Sequence, residues 1–479
     1  MSTAPRDTWS LVWQVVGIML PVTGTYALEG CGYLIPLIAA SHYSGDDEAE
    51  VSRLVGALGL GSTALTVVAF VTRAGWTGGQ DALVSQAFGK GDFNLARTHL
   101  HQCQIWMTLL CFGCTGLLCF TEPTLKAFGV ADAETAALAS EFVFASLPGL
   151  WFDFQYDTLR KFLMNQGMPT PSLVVLAVAF PLHLLSCVAF MRLGWMSAMH
   201  ALGLAWTVRA MASFFLIAGY VSWKMPTPSC ERWWWPFHRA AMSPQGLTAF
   251  ARFGLPSMAM YGCDWIAWEV LTLLAGGLQD GPELAAHVAA AQASEWLFMV
   301  MRGTPKAATV LVGAAVGRGD AKGMLAVIRT CSWFCSFLGS GTVLVMWAFR
   351  HHLVSWLLPV EGPAQTSLSG LLPLVAIQLV FDTANSLCQG VLAGLGQQGA
   401  ACIGMFLSCW VLQLPGAWAL AYHYGGGVRG LRTAGCCAGA LSLFYNSGLL
   451  RSCLRPLSAR EEQSDEYAAH YAPLRSNGI

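Results

Sequence analysis

The sequence predicts an all-α membrane protein in which twelve transmembrane helices form two pseudo-symmetric six-helix lobes. Hydrophobic residues make up 55% of the 479-residue chain and charged residues only 11%, whereas about a quarter of a soluble domain is charged. Twelve apolar segments are long enough to span a bilayer, which takes about 20 helical residues. Three short motifs occur twice, in the same order and at nearly the same offset, and this repetition indicates a duplicated set of six helices.

The first six predicted spans form an N-lobe over residues 11–223. A short N-terminal tail, residues 1–10, precedes them. No cleavable signal peptide is evident, because the first apolar run is too long and contains Glu29. The approximate cores of these spans are residues 12–40, 54–76, 102–121, 138–163, 171–191 and 197–223.

The other six predicted spans form a C-lobe over residues 247–450. The loop 224–246 separates the lobes, and its stretch "ERWWWPFHR" is typical of an anchor at the membrane interface, where tryptophan is enriched. The tail 451–479 has mixed charge and few large apolar residues, so we expect it to be mostly disordered. The approximate cores of these spans are residues 248–277, 284–313, 325–348, 367–393, 400–421 and 427–450.

The distribution of lysine and arginine predicts that both chain termini face the cytoplasm. The loops 41–53 and 122–135 are acidic, as is the turn 279–283, and we expect these on the outer side. Most basic residues fall on the opposite side: Lys90, Arg97, Arg160, Lys161, Lys224, Arg232, Arg239, Arg252, Arg318, Lys322 and Arg329. Four arginines fall on the outer side in this assignment: Arg192, Arg350, Arg429 and Arg432.

The duplication is indicated by three pairs of motifs. An even number of spans in each half means that both halves insert in the same orientation, so the repeats are related by an axis along the membrane normal. The pairs are "LPVTGTYALEG" with "LPSMAMYGCDW", which aligns Glu29 with Asp264, "GKGD" with "GRGD", and Leu-Pro followed by eight residues and Asp-Thr, which aligns Asp157 with Asp382.

Seven acidic residues lie within the apolar spans, where a charged side chain costs about 3 kcal/mol on insertion scales. Asp153 and Asp157 are four residues apart and share a helix face, so we expect one of them to bind a proton or a cation, or to pair with Arg209. With Glu29 they are candidates for an N-lobe ion or proton site. The seven residues are Glu29, Asp153, Asp157, Asp264, Glu269, Glu295 and Asp382.

Other classes of function lack the residues that their chemistry needs. No Walker A sequence or Ser-His-Asp arrangement is present, and the formal net charge of −1 comes with no basic, aromatic clusters for nucleic acid. Cys111 and Cys114 form a CxxC motif without a second pair at zinc-binding spacing. We therefore expect neither an enzyme nor a bound cofactor, metal or nucleic acid.

Five stretches of the chain resemble the multidrug and toxic compound extrusion (MATE) transporters, most closely their eukaryotic branch. The likeness extends over about residues 11–450. The stretches are "GWTGGQDALVSQAFGKGD" (75–92), "FLMNQGMPTP" (162–171), "FARFGLPSMAMYGCDWIAWEVLTLLAGGL" (250–278), "AATVLVGAAVGRGD" (307–320) and "FDTANSLCQGVLAGLGQQG" (381–399).

This resemblance implies a twelve-helix fold in two lobes and the exchange of organic solutes for protons or sodium ions. The family's acidic residue in helix seven falls on Glu269 and its acidic residue in helix ten on Asp382, so these two are the predicted cation-coupling pair. The chain departs from the family at Thr66, where asparagine is frequent, at Arg73, where a small residue is usual, and at Gln292, where some animal members carry an acid.

Several side chains of predicted helices seven and eight are candidates to line a substrate site. Aromatic rings among them can stack on flat organic cations, and the acids can attract positive charge. The candidates are Tyr261, Asp264, Trp265, Trp268, Gln292, Glu295 and Trp296.

We therefore predict a monomeric, multi-pass antiporter that exports organic cations or drug-like metabolites in exchange for protons or sodium ions. Its predicted partners are a small organic substrate and the lipid bilayer. Two alternatives stay open: another two-lobed carrier or lipid flippase, and a non-transporting receptor or scaffold derived from a transporter. The choice between the plasma membrane and the vacuolar membrane also stays open.

Overall fold

The computed structural model describes residues 8–32, 35–36, 38–39, 48–127, 132–224, 240–278, 280–358 and 361–459. Three features predicted from the sequence lie wholly or largely outside this part of the chain. They are the N-terminal tail 1–10, the loop 224–246 with its three tryptophans, and the C-terminal tail 451–479, of which residues 451–459 are described and continue the last helix.

The twelve predicted spans are helical over most of their described residues, and the described part of the chain contains no strand, so the all-α class is confirmed. A turn at residues 300–302 divides the eighth predicted span, 284–313, into two helices. The helices are α1 (Thr8–Gly32), α2 (Glu48–Leu65), α3 (Val71–Trp76), α4 (Gly79–Lys90), α5 (Phe93–Leu118), α6 (Thr121–Ala127), α7 (Ala133–Asn165), α8 (Thr170–Leu193), α9 (Ala198–Lys224), α10 (Pro244–Gly277), α11 (Gly281–Met299), α12 (Gly303–Arg318), α13 (Ala321–Ala348), α14 (Arg350–Leu357), α15 (Pro363–Gly394), α16 (Gln398–Phe406), α17 (Leu414–Trp418) and α18 (Gly427–Ala459). Short π-helical segments interrupt two of the spans, at Thr66–Phe70, Leu407–Gln413 and Ala419–His423.

Eight of the described helical segments are long and apolar enough to cross a membrane, and the bent pair α5 and α6 makes a ninth. The predicted spans that this measure leaves out are the seventh, eighth and twelfth. The seventh lies on α10, the eighth on α11 and the first part of α12, and the twelfth on α18, and they carry Asp264, Glu295 and Arg432 in that order. The helices that length and apolar composition identify least well as membrane spans are therefore ones that carry charged residues within the span.

The chain divides into two compact units, which we call unit 1 and unit 2. Unit 1 contains the residues up to Thr23, the segment Asp81–Asp92, and the residues from Ala259 onward. Unit 2 contains Gly24–Gln80 and Phe93–Met258. Helix α4 therefore packs with the C-terminal half of the chain, although it follows the second predicted span. The lobe boundaries predicted from the sequence stay a prediction.

The "GKGD" and "GRGD" motifs form the same turn at the ends of α4 and α12. Gly91 and Gly319, which occupy the same place in the two motifs, have φ values of 80° and 70°, a left-handed conformation that favours glycine. The N–H of Asp92 donates to the carbonyl of Ala87, and the N–H of Asp320 donates to that of Ala315, both at 3.0 Å. The repeated motif is therefore a repeated helix stop.

A further pair of equivalent turns ends α7 and α15. Gly167 and Gly396 have φ values of 76° and 78°. The following N–H groups donate to the carbonyls of Leu163 and Leu392, at 3.0 and 2.8 Å. The spacing of the two glycines is nearly the same as that of Gly91 and Gly319, so this turn supports the duplication and fixes the register of two long equivalent helices.

Helices α4 and α12 cross with almost no side chain between them. A Cβ atom on Gly89 would collide with the backbone of Ala314, and one on Gly317 would collide with the backbone of Gln86. The contact is reciprocal, because Gly317 and Ala314 are the repeat partners of Gly89 and Gln86 in the motif alignment. Such a reciprocal contact indicates a local two-fold axis between the two helices.

A buried ion pair adds to this crossing. The Lys306 ammonium group donates to the Asp81 carboxylate, and both side chains are largely buried. The side-chain amide of Gln86 donates to the carbonyl of Gly394 at 3.0 Å, which joins α4 to α15 as well.

Candidate functional site

In unit 2, Asp157 is the centre of a buried group of charges. Its carboxylate is completely buried and receives hydrogen bonds from the Thr77 hydroxyl at 2.9 Å and from Arg160 Nη2 at 2.5 Å. Arg73 Nη1 lies 3.2 Å from the same carboxylate. These three donors satisfy Asp157 as a charged group, which is how a buried carboxylate is stabilised.

Glu29 and Asp153 are paired in the same group. Arg160 Nη1 donates to Glu29 at 2.5 Å, and Arg73 Nε lies 3.2 Å from Asp153. The predicted partnership of Arg209 is confirmed, since its Nη2 lies 3.8 Å from Asp153. We call Glu29, Arg73, Asp153, Asp157, Arg160, Lys161 and Arg209 the N-terminal cluster.

Arg160 and Lys161, which were predicted on the cytoplasmic side, are buried in the N-terminal cluster, and the side itself stays a prediction. Both residues are only 4% exposed, and both project from α7 into unit 2. The Lys161 ammonium group donates to the carbonyl of Ala74 at 3.0 Å. The rule for lysine and arginine treats each as solvated, so it does not identify cations that pair with carboxylates and carbonyls of other helices.

In unit 1, Asp382 has a different environment. It lies on α15, it is partly buried, and no described residue donates a hydrogen bond to its carboxylate. The charges within electrostatic range of Asp382 are those of Asp264 and Glu295, both negative, and of Arg432. Two carboxylates and one guanidinium leave Asp382 short of positive charge.

Glu295 and Asp264 share the second arginine of this group. Arg302 Nη2 donates to Glu295 at 2.8 Å, and its charge also acts on Asp264. The Arg302 guanidinium lies over the rings of Trp265 and Phe298, at 6.0 and 5.4 Å from their centres. We call Asp264, Glu295, Arg302, Asp382 and Arg432 the C-terminal cluster.

Arg432, which was expected on the outer side, is buried, and the side of the membrane on which it lies stays a prediction. The residue is 1% exposed within unit 1. Its Nη1 and Nη2 lie 3.4 Å from the Gln378 side-chain oxygen and 3.3 Å from the carbonyl of His287, and its guanidinium lies 5.5 Å from the Trp268 ring centre. The duplication offered a signal for this position, since Arg209 and Arg432 lie in the last span of each half at close to the offset of the repeated motifs.

Glu269 lies apart from the C-terminal cluster. It is exposed and no described charge acts on it. A separation of five residues places Glu269 about 140° around α10 from Asp264, towards the side of Leu273, which is 71% exposed. The residue of α10 that acts on Asp382 is therefore Asp264, and the role predicted for Glu269 stays a prediction.

The turns at Gly167 and Gly396 give a second possible pairing of acids between the repeats. Asp382 precedes Gly396 by the same distance along the chain as Asp153 precedes Gly167, whereas Asp157 lies one helical turn closer to Gly167. The segment between proline and turn is one helical turn longer in α15 than in α7, about 6 Å. Counted from the turns, Asp382 therefore corresponds to Asp153, whereas counted from the prolines it corresponds to Asp157. The predicted match in depth of Asp157 and Asp382 stays a prediction.

The alignment by the turns also pairs two acid–arginine partnerships. Asp153 and Arg209 on α7 and α9 correspond to Asp382 and Arg432 on α15 and α18. The N-terminal acid has a second arginine, Arg73, at 3.2 Å, whereas no described residue hydrogen-bonds to the C-terminal one. The acid of this acid–arginine pair is thus neutralised by arginines in unit 2, whereas in unit 1 it has no hydrogen-bonded cation among the described residues.

The remaining substrate-lining candidates lie on α10 and α11 of unit 1. Tyr261 and Trp268 are partly buried against two hydrophobic clusters, Trp296 is partly buried, and Gln292 is exposed. Among the residues that the structure describes, no group of three His, Cys, Asp or Glu side chains is placed to hold a metal ion.

Comparison with known proteins gives one family. A profile of the MatE family matches residues 21–189 and 256–419 of this chain. "Protein DETOXIFICATION 37" of Arabidopsis thaliana is 27% identical over 418 residues, covering 86% of this chain and 80% of that protein. "Multidrug and toxin extrusion protein 1" of Xenopus tropicalis is 26% identical over 418 residues, covering 86% and 69%.

Solved structures show the same fold. The eukaryotic MATE transporter AtDTX14 superposes with a TM-score of 0.83 at 18% identity, covering 97% of this chain and 99% of the other. A MATE structure in the bent conformation superposes with a TM-score of 0.81 at 17% identity, covering 95% and 100%.

Proposed function

This chain belongs to the MatE family of extrusion transporters, and we propose that it is a secondary antiporter that exchanges an organic solute for protons or sodium ions at the C-terminal cluster. Membership makes the chain a multi-pass membrane transporter and not an enzyme. The coupling ion and the alternation between two access states belong to the proposal, as do the single-chain state and the cytoplasmic location of both termini.

The observation that carries the proposal is the difference between the two clusters. In unit 2, each of the three carboxylates has an arginine within 3.2 Å. In unit 1, the Asp382 carboxylate has no hydrogen-bond donor among the described residues, and Asp264 and Glu295 add negative charge. Uncompensated carboxylates inside a membrane protein are costly, and such groups occur where protons or ions are carried.

The C-terminal cluster can act as the exchange site by ordinary electrostatics. Bringing two or three carboxylates together disfavours the fully ionised state, so the group takes up a proton or a sodium ion. A cationic solute offers the same compensation. The bound ion and the solute therefore compete for one excess of negative charge, and coupling follows if their relative affinities differ between the two access states.

The test uses purified protein in proteoliposomes loaded with a fluorescent organic cation, under an imposed pH gradient and then a sodium gradient. We expect gradient-driven transport in the wild type and a loss of at least tenfold in Asp382→Asn. Glu361→Gln, which removes an exposed acid on the same unit, should transport like the wild type. Wild-type rates from a folded Asp382→Asn protein would contradict the proposal.

Glu269 needs its own comparison, because the family resemblance and the geometry disagree about it. If coupling resides in the C-terminal cluster as the structure describes it, Asp264→Asn should reduce transport more than Glu269→Gln. The opposite order would favour the pair Glu269 and Asp382 and would move the exchange site to another face of α10.

A further inference from the structure

The N-terminal cluster carries one more positive charge than negative charge. Its cations are Arg73, Arg160, Lys161 and Arg209 and its carboxylates are Glu29, Asp153 and Asp157. The sequence predicted a site for a cation or a proton here. With every carboxylate already paired, the cluster has no vacant acid to offer to a cation.

Arg209 is the cation that the carboxylates satisfy least. Its contact with Asp153 is 3.8 Å long, and Asp153 is shared with Arg73 at 3.2 Å. The Arg209 side chain is 18% exposed, against 6% for Arg73 and 4% for Arg160. One face of its guanidinium lies on the ring of Trp206, 5.5 Å from the ring centre, which leaves its edge to bind a planar partner.

Several buried donors near Arg209 have no acceptor. The Tyr156 hydroxyl and both ring nitrogens of His183 lack a hydrogen-bond partner, and the two residues are 1% exposed. A neutral imidazole has one N–H, so these two side chains supply two donors. Arg209 is within electrostatic range of both residues. Arg160 Nε is a further buried N–H group without a hydrogen bond. A surplus of donors in a buried site calls for a ligand that supplies acceptors.

We infer that unit 2 holds a binding site for an anionic oxygen group, of the carboxylate class, with Arg209 as its charged anchor and with His183 and Tyr156 as neighbouring donors. A carboxylate provides two coplanar acceptors that match the guanidinium edge. The inference deepens the proposed function and rests on it in one respect: the exported solute is then a zwitterion, which has both an anionic oxygen group and a cationic group.

Three ligands of equal size and different charge test the site on the purified full-length protein, without any transport. Benzoate, benzamide and benzylamine share one aromatic ring and carry a negative, zero and positive charge. The readout is the midpoint of thermal unfolding in detergent at constant ionic strength. We expect a saturable rise with benzoate and none with the other two. No rise with benzoate, or an equal rise with all three, overturns the inference.

Two substitutions locate the effect. Arg209→Met should raise the apparent Kd for benzoate at least tenfold, because it removes the charge-assisted hydrogen bonds. Asp153 keeps Arg73 in that variant, so the cluster stays paired and the protein stays folded. Arg53→Met removes an exposed arginine of the same unit, which pairs with Glu134 at 2.6 Å, and it should leave the Kd unchanged. Equal benzoate binding by Arg209→Met overturns the inference, whatever the transport assay shows.

Transport separates this inference from the proposed function. Export of a carboxylate-bearing dye that is lost in both Arg209→Met and Asp382→Asn supports the two together. Export of a purely cationic dye at the wild-type rate by Arg209→Met, with no benzoate binding by the wild type, leaves the antiporter standing and rejects the anion site. Saturable benzoate binding with no gradient-driven transport of any dye rejects the antiporter alone.

Discussion

Removal of the Lys306 charge tests how strongly the crossing of α4 and α12 depends on its ion pair. In Lys306→Met the Asp81 carboxylate keeps its place among closely packed helices and loses its ion pair with Lys306. Breaking a buried ion pair by removing one partner costs about 3–5 kcal/mol. The side chains of Lys306 and Asp81 retain 9% and 13% exposure, which lets water screen part of the remaining charge, so we expect about 3 kcal/mol.

A double variant separates the effect of the unpaired charge from the effect of packing. In the double variant Asp81→Asn/Lys306→Met no unpaired charge is left, so stability should return to within about 1 kcal/mol of the wild type. The single variant Arg53→Met is the matched control, because it breaks an ion pair whose side chains are 44% and 61% exposed. Exposed pairs contribute about 0–1 kcal/mol.

The assay is thermal unfolding of the detergent-solubilised protein, followed by tryptophan fluorescence. For a cooperative unit of roughly 250 residues, 3 kcal/mol corresponds to a fall of about 6–12 °C in Tm. The reasoning fails if Lys306→Met lowers Tm no more than Arg53→Met does. It also fails if the double variant is less stable than Lys306→Met alone.

Two further predictions concern packing and the N-terminal cluster. Gly317→Ala places a methyl group against the Gln86 backbone and should lower the stability of the protein by about 1–3 kcal/mol. Gly113→Ala, with nothing within 4 Å of its added Cβ, should be neutral or slightly stabilising. Equal Tm values for the two variants would contradict the close crossing of α4 and α12. Asp157→Asn leaves Arg160 and Arg73 facing a neutral amide at the completely buried position, so we expect a loss of about 3–5 kcal/mol in stability. The yield of monodisperse protein on gel filtration should fall sharply. A wild-type yield and Tm would show that the cluster does not need this charge.

The helices, the number of spans and the duplication could be predicted from the sequence because each depends on local information. Apolar segments of spanning length are helical in a bilayer because every backbone polar group must be paired within the segment. The "GKGD" and "GRGD" motifs could be matched because a left-handed turn after a helix favours glycine, and Gly91 and Gly319 both adopt it. The twelve segments and the family resemblance followed from such features.

The partners of the charged residues were decided only by the tertiary structure. Whether Arg160 and Arg432 face water or a carboxylate depends on which helices pack together and on how each helix is rotated. The residues next to either arginine in the sequence do not determine this packing. A one-turn difference in length after Pro148 and Pro373 made the sequence align Asp382 with Asp157, whereas the turns align it with Asp153. Helix rotation likewise placed Asp264, and not Glu269, within range of Asp382, because neighbours on one helix face different surroundings once the helix is packed.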